Sequence, residues 1–357
     1  IQNSTGFELR NDTLKVTSLS ITGYRTGEYG RLWNNDITGN VTVADDISYG
    51  GGYNTTVWNN VFTGNSSFSN NGLNILYDAN IAASGNKYLG NVTYIKTGAA
   101  ISVGVGDVDE ISGNLTLNSA GGIDLGKINF TGNTNGVVEQ LATQPINIAE
   151  LTMLKTGTGT ITINDPVSIS ISATFTSGNI ISSLANTLLF LDNATATGAS
   201  DASFVSGPVT KEGNDAFIFP TGKNNVYAPP GITAPALATD AFRAEYFNTN
   251  PGLVYNPAQH DGTINHISRR EYWMLDRING TATPKVTLSW KTIRSGVVNI
   301  LPDLLVAHWN STTWKDEGNG GTTGTIAEGT IQSLNTISSF SPFTLASSSV
   351  NNPLPVN

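Results

Sequence analysis

The chain contains no cysteine, which excludes disulfide staples and thiolate metal sites. Charge is scarce as well. Asp, Glu, Lys and Arg make up 13% of 357 residues, about half the roughly 25% usual in globular domains. The charges present sum to −9, which argues against nucleic acid or an anionic membrane surface as a partner. No apolar run approaches the roughly 18 residues of a membrane-spanning helix. The only histidines are His260, His266 and His308, and their spacing matches no recognised metal motif. No nucleophile elbow, phosphate loop or dinucleotide fingerprint occurs. No signal peptide opens the chain. Strand-like text begins almost at Ile1, so a mature or trimmed exported protein is expected. The absence of cysteine favours a bacterial source, because eukaryotic secreted domains commonly carry disulfides.

What the chain has in abundance is Asn, Gly, Ser and Thr, arranged in a repeat. Residues 33–43 read WNNDITGNVTV and residues 58–68 read WNNVFTGNSSF. Three looser copies follow: SGNKYLGNVTY (84–94), DVDEISGNLTL (107–117) and GKINFTGNTNG (126–136). Counting from Gly39, glycines recur at Gly64, Gly90, Gly113 and Gly132. Self-similarity at such a period marks one supersecondary unit stacked many times. Short alternating runs such as Val41-Thr42-Val43 and Leu115-Thr116-Leu117 read as half-buried strands. The Gly-Asn pair before each run tolerates left-handed corners. Together these predict an all-β fold whose first part is a parallel β-helix of about eight coils, about 40 Å long at ~4.8 Å per coil. Asn40, Asn65, Asn91, Asn114 and Asn133 are expected to form a structural ladder, passing side-chain amide hydrogen bonds along the axis.

Around residue 200 the text changes to a mixture of Pro and aromatics, and four of the six tryptophans lie beyond it: Trp273, Trp290, Trp309 and Trp314. Short strand candidates without helices, such as FRAEYF (242–247) and KVTLSWK (285–291), predict a β-sandwich. The expected organisation is therefore a repeat domain over 1–200, a β-sandwich over 201–347 and a linker stub over 348–357. Trp273, Trp290 and Trp309 are read as core.

The second half resembles a surface-protein module common in Bacteroidetes, carried by SFVSGPVTKEGNDAFIFPTGK (203–223), ISRREYWMLDR (267–277), DLLVAHW (303–309) and SSFSPFTLASSS. The closing NNPLPV (351–356) resembles the join to the C-terminal sorting domain of type IX secretion substrates. The resemblance implies an exported protein, surface-attached or released, whose sorting domain is itself missing from this sequence. Asp12-Thr13-Leu14 resembles the short O-glycosylation acceptor of these bacteria, which implicates Thr13.

Candidate chemistry is sparse. Asp107-Val108-Asp109 places two carboxylates on one face of a strand, roughly 7 Å apart, and this suits a calcium ion or a catalytic pair. The rod also offers Asp45, Asp46, Asp78 and Glu110. Trp33 and Trp58, at equivalent positions of adjacent coils, form a sugar-stacking platform if they point outward. Threonines such as Thr158, Thr160 and Thr162 raise an ice- or mineral-binding face, but they do not recur in every coil.

The function expected is that of a non-enzymatic extracellular surface protein, an adhesin or fibre segment. The alternative is a β-helix that binds or cleaves polysaccharide. Expected partners are other copies of the chain, upstream domains of the same protein, and surface glycans. An uncovered first coil exposes backbone donors and acceptors, and head-to-tail contact there gives a filament. Apart from calcium, no cofactor is expected.

Overall fold

The computed structural model describes residues 7–24, 30–46, 55–70, 85–96 and 101–354. It is almost entirely β, with 52% strand and 3% helix, and it divides into two compact units, Ile1–Leu188 and Leu189–Asn357.

The first unit is a parallel β-solenoid of about seven turns. Its strands stack coil on coil in parallel register. Ser66–Asn70, Val92–Lys96, Leu115–Ser119 and Gly136–Gln140 form one face. On another, Ile101–Ile111, Ile123–Phe130, Ile146–Leu154 and Val167–Ser177 pair in sequence order. The register breaks between Val103 and Val108 in one pairing and between Ile148 and Glu150 in another, and such bulges bend a strand without ending its ladder. Alternation sends every second side chain inward. Ile37, Phe62, Tyr88, Ile111, Phe130, Met153 and Phe175 stack in one buried column. Within this core Phe62 stacks on Tyr88 at 5.2 Å and Phe68 on Tyr94 at 5.7 Å. The two tyrosine hydroxyls meet at 2.9 Å, so neither polar tip is left unpaired.

One interior column is polar. Asn35, Asn60 and Asn86, each under 3% exposed, stack above Asp109. Each side-chain oxygen accepts the backbone N–H of the coil before it: Asn35 N to Asn60 Oδ1 at 3.1 Å, Asn60 N to Asn86 Oδ1 at 3.2 Å, and Asn86 N to Asp109 Oδ1 at 2.7 Å. Each Nδ2 donates in two directions. It reaches the next side-chain oxygen (2.9, 3.0 and 3.4 Å) and a strand carbonyl of the preceding coil, those of Leu9, Leu32 and Val57. The ladder thus has a direction, with donors pointing toward the C-terminal coils. Asp109 ends it, because a carboxylate oxygen accepts without requiring an acceptor beyond it. Past Asp109 the column continues as Ile128, Leu151 and Ala173, all buried.

The neighbouring Asn11, Asn34 and Asn59 have φ of 54°, 55° and 51°, the left-handed region that asparagine tolerates better than most residues. Their side chains also bond in series, Asn34 to Asn11 and Asn59 to Asn34.

The Gly-Asn column uses the same backbone-to-side-chain bond in the opposite direction, each N–H donating to the coil before. Asn65 N donates to Asn40 Oδ1 (3.0 Å), Asn91 N to Asn65 Oδ1 (3.0 Å), Asn114 N to Asn91 Oδ1 (2.8 Å) and Val137 N to Asn114 Oδ1 (3.0 Å). These rungs run from backbone N–H to side-chain oxygen, not from amide to amide as the repeat predicts. The glycines are required by close approach: a Cβ on Gly64, Gly90 or Gly113 would lie within 2.6 Å of the carbonyl oxygen of the preceding glycine. The fifth rung departs from expectation. Gly136, not Gly132, sits against the Gly113 carbonyl, and Val137 occupies the rung assigned to Asn133. Two glycines in GKINFTGNTNG compete for the register, and Gly136 keeps the 23-residue step of its predecessor. Gly132 turns a different corner at φ 75°.

In the second unit, Val209–Glu212, Ala241–Phe247, Tyr272–Asn279, Phe343–Ser347, Leu304–Trp309 and Trp314–Asp316 form an antiparallel sheet. A second antiparallel sheet runs Phe217–Ile218, Gly231–Ile232, Val286–Lys291, Glu328–Gln332 and Thr322–Gly324. Trp273, Trp290 and Trp314 are fully buried, while Trp309 is partly buried against Trp314 at 5.6 Å.

The interior ladder makes a direct stability prediction. Asn60→Ala strands the Asn35 N–H and the Leu32 carbonyl inside the rod, at about 1–3 kcal/mol for each buried group left unpaired. Asn59→Gly, at the exposed left-handed corner beside it, keeps the backbone conformation and should cost under about 1 kcal/mol. Urea denaturation of the two variants checks this order.

Candidate functional site

The solenoid's candidate residues are mostly bound into its frame. Asp109 is fully buried as the end of the interior ladder. The side chains of Asp107, Asp45 and Asp46 lie outside the described residues, as does Asp78 altogether. Among the described residues no three His, Asp or Glu side chains come together as a metal site would require. Trp33 pairs in register with Trp58. The Trp33 ring is half-buried, its Nε1 donates to Glu8 Oε1 at 3.2 Å, and the Arg10 guanidinium lies 5.6 Å over its centre. The Trp58 side chain lies outside the described residues. Thr13 is exposed at the start of the strand Thr13–Tyr24. Among the described residues no helix is long and apolar enough to cross a membrane.

Sequence reasoning missed two buried lysines. Burial pushes both Lys96 and Lys155 down to about 8. A lysine with such a value can act as a base, but the Lys155 ammonium donates to the corner carbonyls of Ser112 (2.6 Å) and Thr134 (3.0 Å). It closes the frame at a point where two coils turn. Spacing carries no signal for this, since the partners are backbone atoms 43 and 21 residues away.

The histidines do not assemble. His260 Nδ1 faces the Asp261 carbonyl and His266 Nδ1 faces Asn265 Oδ1. Burial lowers the pKa of His266, helped by the charge of His260 and opposed by a hydrogen bond with the Asn352 backbone. His308 is buried, stacked on Phe343 at 4.8 Å and bonded to Glu317 at 3.3 Å.

An open cavity of about 540 Å³ lined by polar side chains lies in the second unit. Its wall comes from the turn 199–202, from Tyr227 and Pro229, from the strand end Ser289-Trp290-Lys291, and from Glu328–Thr330 of the adjacent strand. At the mouth Lys291 Nζ donates to Asp201 Oδ2 at 2.7 Å and stands 4.0 Å from Glu328. The other Asp201 oxygen accepts the Tyr227 N–H at 2.8 Å. Partial burial works against the Asp201 carboxylate, but the Lys291 and Tyr227 hydrogen bonds, with the charges of Lys291 and Arg294, hold its pKa below the usual range. Burial pushes the Tyr227 hydroxyl up to about 12, so it stays protonated.

Behind the mouth is a buried charge cluster. Arg294 follows Lys291 on the single helical turn Thr292–Ser295. Its Nη1 bonds Glu271 Oε2 at 2.6 Å and its Nη2 bonds Ser289 Oγ at 2.7 Å. Tyr246 donates its hydroxyl to the same Glu271 oxygen at 2.8 Å, and burial first, then the Glu271 charge, raises its pKa. The guanidinium lies 5.9 Å from the centre of the Tyr246 ring and 5.7 Å from that of Trp273. Arg294 Nε and Glu271 Oε1 have no hydrogen-bond partner among the described residues. Sequence reasoning passed over this group. Its only trace is charge inside two strongly strand-like, apolar stretches, at Glu271 before Tyr-Trp-Met-Leu and at Arg294 after Leu-Ser-Trp-Lys.

No protein-family model matches the chain, and neither a curated protein nor a solved structure does.

A buried ion pair is costly to break from one side, because the survivor keeps its charge without a partner. Glu271→Ala should therefore destabilise the second unit by about 3–5 kcal/mol. Lys291→Ala, at the half-exposed mouth, should cost no more than about 1 kcal/mol. Thermal unfolding followed by tryptophan fluorescence reads both, since Trp273 and Trp290 lie in this unit.

Proposed function

We propose that the protein is a non-enzymatic element of an extracellular surface, a stalk or fibre segment that carries a recognition unit. The observation that carries this reading is the use made of polar side chains in the solenoid. Asn35, Asn60, Asn86 and Asp109 inside, and Asn40, Asn65, Asn91 and Asn114 at a corner, bond to the next coil. Such ladders resist extension and are indifferent to salt, because they contain few charges. This is a suitable construction for a spacer outside the cell. The low charge, the absence of cysteine and the resemblance of the second half to the Bacteroidetes surface module support an exported protein. On this reading the two antiparallel sheets of the second unit are a β-sandwich, the unit faces surface glycans, and the solenoid adjoins other copies or other domains of its own chain. Thr13, exposed in an Asp-Thr-Leu context, is the position offered for O-glycosylation.

Two measurements on the intact protein test the proposal. Immunogold labelling of the source cells should place the protein at the cell surface, and incubation with acidic and neutral polysaccharides should release no reducing ends. Cytoplasmic labelling would overturn the surface assignment. Steady release of reducing ends would replace the adhesive reading with that of a polysaccharide-cleaving enzyme.

A further inference from the structure

We propose that the cavity of the second unit binds a neutral saccharide unit, held at its mouth by the Asp201–Lys291 pair. This rests on the adhesive half of the reading above and names its site and ligand class.

The argument begins with size. About 540 Å³ falls within the roughly 300–1,000 Å³ typical of small-molecule sites. Next comes the pairing at the mouth. Asp201 and Lys291, 2.7 Å apart, present an acceptor and a donor side by side. A hydroxyl donates and accepts at once, so two adjacent hydroxyls on a sugar ring can engage both partners together. Glu328, 4.0 Å from the same ammonium, adds a second acceptor at the rim. The Tyr227 hydroxyl, kept protonated by burial, is a further donor-acceptor. Pro229 and the alanines Ala199 and Ala202 supply apolar wall for C–H faces.

Charge then selects among ligands. The charges lining the cavity balance, Lys291 and Arg294 against Asp201 and Glu328, and Arg294 is already paired with the buried Glu271. The site has no cationic surplus, so an anionic sugar would find no net attraction and would compete with Asp201 for Lys291. A polyamine would have to displace Lys291 from Asp201. A neutral polyol meets neither obstacle. Arg294 gives the second, independent indication. It lines the cavity, is 4% exposed, and has an Nε–H without a hydrogen-bond partner among the described residues. A buried polar group left unsatisfied is costly, and one that lines a cavity is open to a hydrogen bond from a bound molecule.

The experiment is calorimetric titration of the full chain with neutral hexasaccharides of glucose, mannose, xylose and N-acetylglucosamine, set beside oligogalacturonate and spermidine. At least one neutral hexasaccharide should bind, at least tenfold tighter than either charged probe. Asp201→Asn and Lys291→Met should each weaken that binding at least tenfold. Both residues are half-exposed, so their loss should leave the fold intact, as circular dichroism will show. Ala202→Trp, on the exposed rim, gives a second route, blocking the mouth without touching the ion pair, and should abolish binding. Failure of every neutral sugar to bind, preference for a charged probe, or binding unchanged in Ala202→Trp would each overturn the proposal. None of these outcomes alters where the protein is found in labelled cells, so the surface reading stands or falls separately.

Discussion

A solenoid strand satisfies its backbone through the coils on either side, but a corner does not. Where the chain turns, N–H groups leave the strand ladder, and in this protein asparagine side chains accept them. The interior column does so in full: every Asn oxygen takes an N–H from the coil before, and every Nδ2 bridges to the coil after. Without those acceptors each turn would bury an unpaired donor, at about 1–3 kcal/mol apiece. The remaining features of the unit follow from this constraint. The glycines are there because neighbouring coils approach too closely for a Cβ. Charge is scarce because uncharged amides stack coil on coil without the repulsion that like charges suffer when stacked. The buried Lys155 supplements the ladder where carbonyls, rather than N–H groups, need a partner.

Much of this was legible from the repeat. Trp-Asn-Asn and Thr-Gly-Asn at a fixed interval identify stacked coils, and Val41-Thr42-Val43 and its successors identify a strand with one buried side. The roles within Trp-Asn-Asn were not legible. Asn34 and Asn59 take left-handed corners while Asn35 and Asn60 turn inward, and adjacent identical letters do not say which is which. The direction of the ladder was likewise hidden, because it depends on Asp109, whose neighbour Asp107 drew attention to an ion instead. The shift from Gly132 to Gly136 shows the limit of counting glycines: two in one corner offer two registers, and stacking on Gly113 decides between them.

The second unit is built on the opposite principle. Its sheets are antiparallel and its core is aromatic, with Trp273, Trp290 and Trp314 buried. A deep polar group of this unit, Glu271 with Arg294 and Tyr246, joins residues more than twenty positions apart in sequence. Strand pattern foretells the tryptophans, because alternation and apolar composition are local. The charge cluster has no local pattern, since Glu271 and Arg294 belong to different elements and meet only when the unit folds. The solenoid uses its polar residues repeatedly for one purpose, whereas the buried polar groups of this unit are each built differently, Glu271 with Arg294 and His308 with Glu317.

The central claim is that side-chain acceptors hold the corners, and native-state hydrogen exchange tests it most directly. The backbone N–H groups of Asn65, Asn91 and Asn114 sit at exposed corners, yet each donates to the asparagine of a neighbouring coil. The account predicts that they exchange as slowly as the strand amides beside them, such as Val92 N–H, which bonds the Asn114 carbonyl at 2.9 Å, because opening them requires parting two coils. Exchange at the rate of exposed turn amides such as Thr312, whose N–H bonds only within its own turn, would contradict it.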